Sequence, residues 1–128
     1  MAPVIFERPT IGGHVPDPTP AYNRPAYWYV RGTDRLPSVD RAAADPDPLV
    51  RVKLFDPQGS WSWYLAGYDP DRRLAFGAVD GWDFEIGDIW MPELTALRRK
   101  PFRLPLEREL DFEPRRLSLL LRQARSER

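Results

Sequence analysis

Nine of the chain's fifteen prolines fall within its first 48 residues, and this uneven distribution limits the fold more than any other feature. A proline fixes φ at about −65°, lacks a backbone donor and steers the preceding residue away from helix. Over residues 1–48, which include the Pro16, Pro18, Pro20 cluster, no apolar period of a strand or a helix is sustained. The segment is therefore read as a proline-rich N-terminal arm of loop and extended chain. Within it Pro25 to Val30 (PAYWYV) is rich in β-forming aromatics and predicts one short strand added to the main sheet. Asp45, Pro46, Asp47 and Pro48 then mark a boundary, giving an arm over residues 1–48, packed on or extending from one domain over residues 49–128. A chain of 128 residues has room for one core and not for two.

Beyond the boundary the apolar pattern takes the period of two that a strand requires. Val50, Val52 and Leu54 alternate with Arg51, Lys53 and Phe55. Asp56, Pro57, Gln58 and Gly59 suit a type I turn, with an acceptor at the first position and proline at the second. The next strand places Trp61, Trp63 and Leu65 on one face and Ser62, Tyr64 and Ala66 on the other. A turn over residues 69–73 leads to a third strand, Leu74 to Val79, and a tight turn at Asp80 and Gly81 to a fourth that aligns Trp82, Phe84 and Ile86. The pattern predicts an antiparallel meander of about four strands between residues 49 and 89.

After Trp90 the period lengthens. Pro92 and Glu93 suit the first turn of a helix, Leu94 and Leu97 share one side of it, and Arg98, Arg99 and Lys100 favour its negative end before Pro101 stops it. Pro105 restricts the alternating segment Phe102 to Phe112 to an edge strand or a connector. A last helix from Pro114 carries Leu117, Leu120, Leu121 and Ala124 at helical spacing, a stripe expected to cover the sheet. The fold class is α+β: an antiparallel meander covered by a C-terminal helix and preceded by the arm.

Composition narrows the function. Without cysteine there is no disulfide, thiol nucleophile, zinc ribbon or iron–sulfur site. The single histidine, His14, follows Gly12 and Gly13 in a proline-rich stretch with no neighbouring nucleophile and receives no role. Neither glycine pair, there or at Gly59 and Ser60, has the spacing of a phosphate loop, and no cofactor is indicated. No apolar run approaches the roughly 20 residues needed to cross a bilayer, and no signal segment follows Met1, so a cytoplasmic protein without membrane contact is expected. The net charge is zero, yet residues 1–55, 56–93 and 94–128 carry +1, −6 and +5. The acidic middle and basic end either pair with each other or face different partners.

Four pieces of sequence carry a family resemblance. They are Lys53 to Pro57 (KLFDP) running into Gly59 to Tyr64 (GSWSWY), then Phe76 with Gly77, then Glu85 to Gly87 (EIG) ahead of Glu93 and Leu94, and finally Leu104 to Phe112 (LPLERELDF). In this order and spacing, from Val50 to about Leu121, the chain resembles domain of unknown function family 2958, small proteins of bacterial plasmids and integrative elements. The resemblance implies a mobile-element setting and brings no established activity. Residues 1–48 exceed the short lead of that family, and Asp88, Ile89 and Trp90 replace its approach to the helix.

Candidate sites follow from residue type and spacing. Trp61 and Trp63, with Tyr27, Trp28 and Tyr29 upstream, offer a stacking platform for bases beside Arg51 and Lys53; the competing arrangement buries the tryptophans as core. Arg98, Arg99, Lys100, Arg115 and Arg116 form a candidate basic patch. The carboxylates Asp56, Glu107 and Glu109, with Glu85 and Asp111, are the only set with the chemistry of a metal-dependent hydrolase. Glu107 and Arg108 point to opposite sides of an extended chain, so one of them turns inward and needs a buried ion partner. The function expected first is a non-enzymatic binding module of a mobile element whose partner is another protein. Nucleic-acid binding through the aromatic strand and the basic patch is one alternative, and hydrolysis by Glu107, Glu109 and Asp56 is the other.

Overall fold

The computed structural model describes residues 29–127. The proline cluster at residues 16–20, His14, Gly12, Gly13 and most of the PAYWYV segment lie outside the described residues. Of that last segment, Tyr29 and Val30 form a bend rather than a strand, and the Tyr29 hydroxyl donates to the carbonyl of Leu106.

The elements in chain order are α1 (Val39–Ala44), β1 (Leu49–Val50), β2 (Val52–Phe55), β3 (Ser62–Asp69), β4 (Leu74–Asp80), β5 (Phe84–Trp90), α2 (Met91–Ala96), β6 (Glu107–Arg108), β7 (Arg115–Arg116) and α3 (Leu117–Ser126). Five of the strands make one antiparallel sheet in the order β5-β4-β3-β2-β6, and β1 pairs with β7 in a separate ribbon. The meander expected from the alternation is β2 to β5. The Asp56 turn closes as its residues dictate, with the Gly59 N–H donating to the Asp56 carbonyl at 3.2 Å. The segment containing Pro105 is an edge strand, held by Leu54 opposite Arg108 and Phe55 opposite Glu107.

Both faces of the sheet are buried. One packs Val52, Leu54, Trp63, Leu65, Ala75, Val79 and Ile89 under Tyr29, Met91, Leu94 and Leu106. The other packs Tyr64, Ala66 and Ala78 with Val50 under Ala42 of α1 and Leu117 and Leu120 of α3. The stripe on α3 therefore covers the Tyr64 side, while α2 and the chain after it cover the Trp63 side. Ala66 is an extra residue in β3, since Leu65 stands opposite Gly77 and Gly67 opposite Phe76. Gly77 is required at that crossing, because a Cβ there would fall 1.7 Å from the Tyr64 carbonyl oxygen.

Three local expectations are corrected. Val50 does not share a face with Val52 and Leu54: the strand breaks at Arg51, whose N–H donates to Leu65 beside the bulge, and Val50 joins the opposite core. The turn after Asp80 is longer than two residues, since Asp80 pairs with Phe84, so Trp82 leaves the strand and stands in the loop. The segment read from sequence as an arm of loop and extended chain carries a helix, α1, capped by the Ser38 hydroxyl accepting from the Arg41 N–H. At six residues α1 is too short to display a period.

The boundary segment ties the two ends of the fold together. Asp47 accepts from both the N–H and the hydroxyl of Ser118 at 2.9 and 2.7 Å, capping α3 from 71 residues away, and Leu117 N–H donates to the Pro48 carbonyl. The two Ser118 bonds, then the Arg116 and Arg122 charges, outweigh desolvation and hold the Asp47 carboxyl below its ordinary value.

Candidate functional site

The described residues form a cleft on the Trp63 side at the end of the β2–β3 hairpin. It is lined by Asp56, Trp61, Trp63, Trp82, Leu97 and Arg99, with a volume of about 150 Å³. Trp63 is its deepest wall, 1% exposed, because position 63 alternates inward on a central strand. Its indole N–H has no hydrogen-bond partner among the described residues. Trp61, two residues earlier and half-buried, tilts against it at 6.1 Å between ring centroids. Trp82 meets Trp61 edge-on at 5.4 Å and is 63% exposed, since the loop that took it out of β5 projects it beyond the sheet.

The polar end of the cleft is an ion pair. Arg99 Nη2 lies 2.7 Å from Asp56 Oδ2, and the other carboxylate oxygen accepts from the Gln58 N–H at 2.8 Å. The guanidinium lies over Gly59, where a Cβ would fall 2.3 Å from Nη2. Gln58 pins the chain that carries Arg99: its amide donates to the Arg99 and Lys100 carbonyls and accepts from the Leu104 N–H. The pinned loop, with a cis Lys100–Pro101 peptide and Arg103 in the left-handed region at φ 54, lifts Phe102 into solvent, 73% exposed. Leu104, beside it, is also exposed.

A second hollow, about 420 Å³ and strongly polar, lies on the Tyr64 side among Lys53, Ser62, Tyr64, Asp80, Glu109 and Arg115, with Glu127 at its end. Lys53 pairs with Glu109 at 3.2 Å and sits 5.8 Å from the Tyr64 ring centroid. Burial, then the Asp80 carboxylate, raises the Tyr64 phenol above its ordinary value despite a hydrogen bond with Ser62.

The residues singled out from sequence are distributed as follows. Trp61 and Trp63 adjoin, but Trp63 is closed off as core, so the pair is not an open stacking platform. The basic residues separate: Arg99 belongs to the tryptophan cleft, whereas Arg115 lies on the Tyr64 side, 5.6 Å from the Phe112 ring. Arg98 donates to the carbonyls of Thr95 and Leu97 at the end of α2, and Arg116 to that of Asp47. Lys100 is exposed. The three carboxylates of the hydrolase reading are not brought together, since Asp56 is held by Arg99, Glu109 by Lys53 on the other side, and Glu107 is exposed. No group of three His, Cys, Asp or Glu among the described residues is placed to hold a metal. Of Glu107 and Arg108, Arg108 turns inward, and its partner is Asp34, bonded through both guanidinium nitrogens at 2.7 and 2.6 Å, with the side chains 12% and 9% exposed. Burial pushes the Asp34 carboxyl up, but the Arg108 bond, the Arg31 N–H and the two guanidinium charges outweigh it and hold the pKa below its ordinary value.

Asp34, Gln58 and Trp82 are the residues the sequence reading left without a role. Gln58 in a proline–glycine turn carries no signal of its clamp, and the alternation that placed Trp82 in a strand concealed its exposure. No helix among the described residues is long and apolar enough to cross a membrane. No curated protein and no solved structure matches the chain. A family model does: that of the proteins of unknown function designated DUF2958, over residues 33–128, which takes in the cleft, α1 and every strand. With 96 of its 128 residues matched, starting before the boundary at Pro48, the chain belongs to the DUF2958 family.

Proposed function

We propose that this chain is a non-enzymatic binding module of a mobile genetic element, working in the cytoplasm, and that its partner is another protein held at the tryptophan cleft. One observation carries the reading: Trp82, 63% exposed, lines with Trp61 and Arg99 a cleft with a buried floor, and Phe102, 73% exposed, is carried on the loop that follows Arg99. Tryptophan and arginine dominate binding hot spots, and exposed large aromatics beside a pocket favour an interface. Among the described residues that line the cleft, the one carboxylate is paired with Arg99 and the remaining groups are aromatic or aliphatic. The mobile-element setting rests on the family resemblance.

The test is quantitative co-purification from a host carrying the element, comparing the wild-type chain with a Trp82→Ala/Phe102→Ala double variant and with Ile86→Ala on β5. A specific partner retained by the wild type and Ile86→Ala, and lost by the double variant, is the expected result. Equal recovery by all three folded proteins would overturn the reading.

A further inference from the structure

We propose that the tryptophan cleft takes a single apolar side chain of its partner, flanked in that partner by carboxylates: an acidic segment with one aliphatic or aromatic anchor. This rests on the protein-partner reading above and specifies its chemistry. Size comes first. A volume of about 150 Å³ suits one side chain, whereas pockets for cofactors and drug-sized ligands begin at roughly 300 Å³. The walls are apolar where the anchor would sit, between Trp61, Trp82 and Leu97.

Charge selects the flanks. The stretch beside the cleft carries Arg98, Arg99, Lys100 and Arg103 within six residues. Arg98 is bonded back to the carbonyls of Thr95 and Leu97, and Arg99 spends one nitrogen on Asp56 while its side chain stays 46% exposed. Lys100 and Arg103 are exposed on either side of Phe102. Carboxylates of an incoming chain complement the exposed part of Arg99 in the cleft and the cations that follow it in the chain. A nucleic acid fits less well, because a cleft of this size does not accept a run of stacked bases.

The experiment uses the full chain labelled with ¹⁵N, whose five tryptophans give five indole resonances. That of Trp63 is identified by Trp63→Phe or, if that variant does not fold, by Overhauser contacts to Leu54 and Val79. The probes are acetylated, amidated pentapeptides EELEE, KKLKK and EESEE, and oligothymidylate. EELEE is expected to shift the Trp61, Trp63 and Trp82 indoles saturably, with KKLKK and EESEE weaker by roughly tenfold or more. Trp82→Ala should weaken EELEE to the same degree, and Leu119→Ala on α3 should not. A folded protein whose indoles ignore EELEE, follow KKLKK equally, or respond to EELEE unchanged in Trp82→Ala would overturn the proposal. Shifts with oligothymidylate alone would overturn it in favour of nucleic acid. If EELEE fails while co-purification still depends on Trp82 and Phe102, the protein interface stands and only the acidic anchor falls.

Discussion

The two faces of the sheet are closed by different means. On the Tyr64 side two helices, α1 through Ala42 and α3 through Leu117 and Leu120, lie over the small sheet residues Ala66 and Ala78, and the cover is regular. On the Trp63 side the cover is a six-residue helix followed by irregular chain, fastened by polar pins: Gln58 to the 99–104 loop, Arg99 to Asp56, and Arg108 to Asp34. An irregular cover leaves a gap, and the tryptophan cleft is that gap. The face with the larger apolar side chains thus keeps a small opening walled by tryptophans, whereas the larger hollow on the Tyr64 side is lined by charged and polar groups.

This contrast can be broken most forcefully at Trp63. Trp63→Ala should cost about 3–5 kcal/mol in urea unfolding, as a fully buried tryptophan removed from a packed core. Asp34→Ala should follow at about 3 kcal/mol at pH 7, because it leaves Arg108 buried without its carboxylate. The sign with pH is set by the lowered Asp34 pKa. The wild type's advantage over Asp34→Ala is complete above the ordinary carboxylate range, about 4, and shrinks as pH falls through the lower folded value. An undiminished gap in titrations at pH 7 and pH 3 would contradict a charge-based pin. Leu120→Ala, on the helical cover, should cost about 2–3 kcal/mol, and a loss larger than that of Trp63→Ala would reverse the ranking of the two cores. Smallest of all, Trp82→Ala should leave stability within about 0.5 kcal/mol, so that its effect on binding is read without a folding defect.

The same contrast explains what was legible in sequence. Alternation in β2, β3 and β4 and the spacing of Leu117, Leu120 and Ala124 in α3 are periodic, and periodic burial leaves a periodic trace. Turn chemistry at Asp56 to Gly59 was equally readable. The cover of the Trp63 face has no period, so its contacts, made across 41 residues by Gln58 and 74 by Arg108, leave no local pattern. The candidate site is partly legible: Trp61, Trp63 and Arg99 stand out as binding residues, and Asp56 only as a carboxylate of the hydrolase alternative. Their convergence depended on Trp82 leaving its strand and on the loop that returns Arg99 to the hairpin. Val50 misled because a bulge at Ala66 in the neighbouring strand, invisible to alternation within β2, moved it to the other core.

The cap that Asp47 places on α3 also orders events during synthesis. α3 emerges from the ribosome after every strand it covers, so Val50, Tyr64, Ala66 and Ala78 remain without their lid while most of the sheet already exists. Asp47 and Pro48 supply the acceptors for the first turn of that helix from outside it, so in the folded chain a ten-residue helix, too short to be stable alone, is held by groups 69 to 71 residues earlier.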